Sequence, residues 1–431
     1  MKKNGAIYLI FLMVLALFAC RKEADNNPPR ISVSGPAWGT SYNVYDTIWV
    51  NALITDNTKL VSVKIALLDE SQKPVLSVHD FKPGVATLEV SEGIPLDDIH
   101  LASGTYTLQV QAFDGTNYTN NFIELRVNEL PLEMKYPVLI SRNGMYGINI
   151  SVLESGTIWR KVLSLESDYQ TSDVSSYDQQ VYTAGQISGN LNACLLPAGP
   201  VVWEVPLLSA PPYRYFEALF YEFPLLYVAY YEGKILGYDR FGVVKYSSET
   251  EPGYIPEAIG KSGDFVLAGE RRKTGSARAI GVYYAVTGSR MQSLEVSLDI
   301  VSFKTIDKDH VLVFGNNGNT GIIMEYHISE NHLRHVHTFS DGKIGAVVQA
   351  NSSNFFVAGA NAVHRYIYPT NTLVQYIQDA PGALLDFDVV NDQIFALYNH
   401  QLKVYGFPDA SIVVSIPVAD SAFSFHLMYN K

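Results

Sequence analysis

Short apolar runs separated by turn residues fill this chain from about residue 30 to its end, and few stretches show the period of an amphipathic helix. The clearest run is Thr105-Tyr106-Thr107-Leu108-Gln109-Val110-Gln111-Ala112-Phe113. It alternates with period two, so one face of a strand is buried and the other is wet. Asp114-Gly115 then turns the chain into the next alternating run. Strands are expected at 31–33, 47–54, 60–68, 74–78, 86–90, 105–113 and 121–127. Seven short strands in about a hundred residues predict a two-sheet sandwich over residues 30–129.

Residues 133–431 follow a different rule. One strand type recurs, short and apolar with a small residue near its end: PVLISR, QQVYTAG, LLYVAY, DFVLAG, HVLVFG, NFFVAG and QIFALY. The copies are spaced by roughly 39 to 46 residues, the period of four-stranded propeller blades. Seven copies predict seven blades. The last three blades can be read strand by strand, from 300–306 to 411–417. One strand, 422–429, is then left over, while the first blade starts at its second strand, 136–142. Pairing the two ends closes a ring and removes two sheet edges. A β-helix or a pair of sandwiches would also use short strands, but neither explains that complementarity. The expected fold class is therefore all-β: a β-sandwich followed by a seven-bladed β-propeller.

The sandwich resembles the immunoglobulin-like and fibronectin-type modules of bacterial cell-surface proteins, without the Cys…Trp…Cys signature of antibody domains. The propeller resembles the YVTN, NHL and WD40 class in layout, although no WD dipeptide is present. At the N-terminus, Lys2 and Lys3 precede an apolar run, 6–18, too short to span a membrane. It ends in Leu17-Phe18-Ala19-Cys20, which resembles the bacterial lipobox. That resemblance implies removal of residues 1–19 and acylation of Cys20 as the new N-terminus. Arg21-Lys22-Glu23-Ala24-Asp25 looks like the charged tether that marks surface export in lipoproteins of the Bacteroidota. It implies a tether over 20–29 and an outer-membrane, surface-facing location. No later segment has about 18 consecutive apolar residues, so the lipid is the expected anchor.

The formal charge is -12, and loss of Lys2 and Lys3 makes the chain more acidic still. An acidic body argues against a nucleic-acid partner. With Cys20 acylated, Cys194 is left alone in the apolar run NLNACLLP and reads as a buried small hydrophobe.

Catalytic signatures are missing: no Asp box, no G-x-S-x-G, no H-E-x-x-H, no phosphate loop. No catalytic residue, metal site or cofactor is expected. His327, His332, His335 and His337 cluster in sequence, but no carboxylate or Cys sits at ligand spacing. Asp56 and Asp114 lie at turns, where calcium ligation and ordinary turn chemistry are the alternatives. Residues 213–231 are dense in aromatics, most of which are expected to pack between blades. The segment 270–278, ERRKTGSAR, is basic in an acidic protein and reads as a solvated hairpin or a binding loop. Its topology places it on the same face as the blade-to-blade segments 208–213 and 247–256. Tyr213, Tyr254, Arg271, Arg272 and Arg278 are accordingly the candidate binding residues for a protein or glycan partner. This favours a binding or scaffold module, and the lipoprotein resemblance implies an accessory role to an outer-membrane uptake or assembly complex. The alternative is a propeller glycoside hydrolase or lyase with an unrecognised carboxylate pair.

Cys20→Ala is expected to abolish labelling by a fatty-acid probe and release the protein from membranes. Membrane retention that survives carbonate washing would rule out the lipid as the sole anchor.

Overall fold

A computed structural model describes residues 25–154, 156–207 and 214–431. The chain divides into two compact units, Met1–Pro131 and Leu132–Lys431. All regular structure among the described residues is β, and no helix there is long and apolar enough to cross a membrane.

Unit 1 contains two sheets. Three strands, Arg30–Gly35, Thr47–Thr55 and Thr87–Pro95, form one. The other has five strands, in the order Ser41–Asn43, Tyr118–Asn128, Gly104–Phe113, Ser62–Leu68 and His79–Phe81. Alternation decides which side chains meet: Ile48, Val50 and Ile54 from one sheet join Val63, Ile65, Leu108 and Val110 from the other in one core. Tyr106, near the start of its strand, donates its hydroxyl hydrogen to the carbonyl of Ala102 at 2.9 Å. The strand expected at 74–78 is not formed. Only an isolated bridge, Leu68 to Pro74, lies there, and pairing resumes at His79–Phe81. Pro74 cannot donate to a ladder, which limits pairing at that point. The three-residue strand Ser41–Asn43 was not legible in the sequence and pairs in parallel with Tyr118–Asn128.

Unit 2 is a propeller of seven four-stranded antiparallel sheets among the described residues. Blade 1 runs Ala422–Tyr429, Met134–Asn143, Gly147–Val152 and Arg160–Leu165. Blade 2 begins with Thr171–Ser175, blade 3 with Phe216–Glu222 and blade 4 with Tyr254–Ser262. Blades 5, 6 and 7 begin with Asp299–Thr305, Ala346–Asn351 and Leu384–Asp388. These first strands touch one another in a closed cycle, blade 7 to blade 1 and blade 1 to blade 2 included, so they line the centre. A separate apolar cluster fills each of the seven blade boundaries. The repeated motif is the second strand of each blade, buried on both faces. Its small terminal residue has a packing reason. A Cβ at Gly269 would lie 2.9 Å from Cβ of Ile300 on the first strand of blade 5.

The terminal strand closes the ring as its complementarity required, with Phe425 opposite Leu139 and Met428 opposite Tyr136. Phe425 and Leu427 bury themselves against blade 7, and Met428 against blade 2. Burying three such side chains contributes on the order of 5 kcal/mol, before the edge left on Met134–Asn143 is counted. Deleting residues 422–431 is therefore expected to lower the melting temperature by ten degrees or more, or to prevent folding. A truncated chain melting within a degree or two of the parent would show that closure stabilises nothing.

Candidate functional site

Antiparallel succession sends the blade-to-blade connections and the second-to-third-strand hairpins out at the same end of the ring. At this rim, blade 4 sets Tyr254 opposite Arg272 and Ile255 opposite Arg271, and Arg271 opposite Arg278 on the third strand. Four candidate residues are thus neighbours on two rungs of one sheet. Tyr213 lies outside the described residues, as does Cys20.

The reading of 270–278 as one loop is corrected. The second strand extends through Arg272 and the third starts at Arg278, so only residues 273–277 form the hairpin. Glu270 is buried: it accepts hydrogen bonds from the Tyr283 hydroxyl and from Arg290 Nη2, the latter at 2.7 Å. Arg271 and Arg278 are half-buried ion-pair partners. Arg271 Nε donates to Glu257 Oε1 at 2.6 Å, and Arg278 pairs with Asp299 on blade 5. Arg272 is exposed, and Lys273 lies 4.9 Å from the ring centre of Tyr231.

The structure adds two carboxylates that the sequence did not single out. Glu217, on the first strand of blade 3, is buried, and burial together with the charge of Glu257 pushes its carboxyl up to about 7. Arg214 and Arg271 oppose that rise. The rim of blades 3 and 4 therefore holds a carboxyl that titrates near neutrality, an ion-paired carboxylate and several guanidinium groups. No local spacing announces this, because Glu217 and Glu257 lie on first strands of different blades.

Deeper in the ring, Asp173 of blade 2 and Asp386 of blade 7 each bind two backbone N–H groups. Asp173 accepts from Val174 at 2.8 Å and from Tyr221 of blade 3 at 2.7 Å. Asp386 accepts from Phe387 at 2.8 Å and from Leu427 of blade 1 at 2.7 Å. Burial raises both carboxyls to about 6, while the Lys304 cation of blade 5 opposes the rise. Burial also lowers Lys304. Beside them the Ser172 hydroxyl shares hydrogen bonds with Ser424, with His426 Nε2 at 2.8 Å and with the Tyr169 hydroxyl at 3.0 Å. Burial pushes His426 down to about 4, so its imidazole is neutral. The described hydrogen bonds give His426 no carboxylate partner, so no Ser-His-Asp triad is assembled.

The other sequence candidates sort as follows. Asp56 and Asp114 perform turn chemistry, accepting from Thr58 N and from Thr116 N and Asn117 N. Their carboxylates converge with that of Asp25. Cys194 is fully buried, and burial pushes its thiol up to about 12, so it is unreactive. Among the aromatics of 213–231, Tyr215, Phe216, Tyr227 and Tyr230 pack in blade-boundary cores, while Phe223 is exposed. Of the histidines, His327 lies opposite His332 on one side and opposite His310 on the other, while His335 bonds the Thr338 hydroxyl.

No protein-family model and no curated protein matches the chain. Solved structures are similar at low identity. A quinoprotein alcohol dehydrogenase-like protein from Bacteroides thetaiotaomicron is 10% identical, with 94% of this chain and 100% of that one covered and a TM-score of 0.48. A chain of the mitotic checkpoint complex is 13% identical, covering 59% and 78%, with a TM-score of 0.47. The Cps50 (Swd1) β-propeller domain of Myceliophteria thermophila is 10% identical, covering 59% and 89%, with a TM-score of 0.45. The seven-sheet ring follows from strand pairing independently of these likenesses.

The two channel aspartates have a pH signature. Their folded-state values, about 6, lie above the ordinary aspartate value of 3.8. The folded state thus holds more protons between about pH 4 and 6, and their contribution to stability is lost as pH rises through 6. Replacing both by Asn is expected to remove the fall in stability between about pH 4 and 6, while costing one backbone hydrogen bond per site at every pH, because the amide nitrogen cannot accept the N–H that the second carboxylate oxygen accepts. Urea unfolding across that range measures it. An unchanged slope in the double variant would mean the aspartates are not held protonated.

Proposed function

We propose that this chain is a lipid-anchored outer-membrane lipoprotein whose propeller binds a protein or glycan partner at the rim of blades 3 and 4. The observation that carries the reading is the convergence there of Glu217, Glu257 and Arg271 with exposed Arg272, Lys273 and half-buried Tyr254. Arginine and tyrosine on strand ends of a rigid ring are suited to interface anchoring. The Cys20 lipid and its charged tether would hold the molecule on the surface, in an accessory role to an uptake or assembly complex. Unit 1 fits an immunoglobulin-like module. Its two sheets share one core, and the Tyr106 hydroxyl bonds back to Ala102, the bond that marks a tyrosine corner.

One observation favours a second reading, a glycoside hydrolase or lyase. Glu217 can carry a proton near neutral pH beside a second carboxylate, Glu257, the pairing that acid and base catalysis requires.

The partner is to be captured with the full-length protein in its native envelope, then titrated against variants. Arg272→Ser with Lys273→Ser is expected to weaken binding at least tenfold and to flatten its salt dependence, leaving the fold intact. Unchanged affinity and salt dependence would move the site elsewhere. Cleavage of a polysaccharide by the parent, lost in Glu217→Gln, would replace the binder reading by the enzyme reading.

A further inference from the structure

At the opposite end of the ring from the rim, blade 5 brings together two imidazoles and a carboxylate. His310 opens the second strand, His310–Asn317, and His327 closes the third, Thr320–His327. The register sets them directly opposite one another. Asp309 precedes His310 in the turn. One ligand-type atom from each of Asp309, His310 and His327 lies within 4.8 Å of the others, and the two rings stand at 84° with centroids 4.5 Å apart. We propose that Asp309, His310 and His327 form a binding site for a divalent transition-metal ion of the zinc class.

Two of the three ligands, His310 and Asp309, are already oriented by hydrogen-bond partners of their own. His310 Nδ1 donates to the Asp307 carboxylate, at 2.9 Å to one oxygen and 2.8 Å to the other. That leaves Nε2 with its lone pair. His327 Nε2 lies 3.6 Å from Glu325 Oε1, beyond direct hydrogen-bond reach, so either ring nitrogen can face an ion. Glu325 is itself fixed by the Tyr368 hydroxyl at 2.6 Å and by Arg334. The Asp309 carboxylate accepts from Ser329 N at 2.7 Å and from the Ser329 hydroxyl at 2.8 Å. The Asp307 carboxylate on the far nitrogen of His310 is the arrangement that fixes tautomer and ring orientation in zinc sites.

The geometry needs little adjustment. A tetrahedral ion with bonds of about 2.1 Å holds its ligand atoms roughly 3.4 Å apart, so side-chain closure of about an ångström suffices. Two imidazoles and one carboxylate select zinc and its neighbours over calcium and magnesium, which take oxygen donors. All three residues are half-buried, so the ion can enter from solvent and keep a fourth position for water or an outside donor. The sequence hid this site in two ways. His327 stands in sequence beside His332, His335 and His337 of the next strand, of which His332 lies opposite it while His335 and His337 lie opposite Met324 and Ile323. The missing carboxylate and second histidine come instead from the turn 307–309 and the strand before it.

The test is calorimetric titration of the full-length chain, stripped with EDTA, using zinc chloride. One zinc per chain and a rise of several degrees in melting temperature are expected, with no response to magnesium or calcium. Asp309→Asn with His327→Asn should weaken zinc binding at least fiftyfold, whereas His335→Ala should bind as the parent does. Cobalt substitution gives a second readout through the visible absorption of four-coordinate cobalt, present in the parent and lost in the double variant. It also applies to the single variant His310→Gln, should the double variant fail to fold. Absence of stoichiometric zinc binding to the parent would overturn the site. So would binding that survives in every one of these variants.

Discussion

The pairing of Ala422–Tyr429 with Met134–Asn143 is the constraint on which unit 2 depends. Six blades are continuous in the chain, but blade 1 is assembled from both ends of the unit. Its terminal strand is clasped from both sides. Asp386 of blade 7 accepts the Leu427 N–H, and the Ser176 hydroxyl of blade 2 accepts the Tyr429 N–H at 2.9 Å. Gln179 Nε2 donates to the Tyr429 carbonyl at 2.7 Å. Apolar clusters on the same two boundaries, with Phe425 and Leu427 on one side and Met428 on the other, make closure cooperative with packing. Opening the seam would release two sheet edges and two cores together.

Closure also creates the polar channel. His426 sits on the terminal strand, and it meets Ser172 only because blade 1 stands beside blade 2. Asp173 and Asp386 occupy matching positions on blades 2 and 7, each gripping its own next N–H and one on the following blade. Buried polar groups survive when their hydrogen-bonding capacity is met, and these carboxylates meet it with backbone donors. Their charge remains the problem. Burial disfavours that charge, and the Lys304 cation opposes it only in part, so both carboxyls are driven toward protonation. The same side chains therefore tie blades together and oppose folding when ionised. Neutral His426 reflects the same burial acting on a base.

The architecture was legible because blades repeat a physical requirement. The second strands are buried on both faces, so they read as apolar runs, and a small residue near the end leaves room for the next blade, as Gly269 does for Ile300. What was not legible is convergence across blades. Glu217 and Glu257 are forty residues apart and look like scattered acids until adjacent first strands bring them to one rim. Arg271 and Arg278 were singled out as basic loop residues, but their partners Glu257 and Asp299 sit on first strands, one in blade 4 and one in blade 5. Charge spacing along a chain cannot show which cations are already satisfied. In unit 1, alternation identified the long strands, while the parallel strand Ser41–Asn43 is too short to carry a period.

Ion pairing at the rim changes what recognition there would require. Because Glu257 and Asp299 neutralise Arg271 and Arg278, those two arginines are positioned rather than free. Pre-paired guanidinium groups on strand ends lose little freedom when a partner arrives, which favours geometric fit. Long-range attraction falls instead to Arg272 and Lys273, which no carboxylate engages among the described residues. Glu217 adds a switch in sign: protonated, it leaves the rim more basic, and ionised, it tempers Arg271 and Arg214. An anionic partner should therefore be held more tightly on the acid side of Glu217's titration near pH 7, because the rim is there at its most positive.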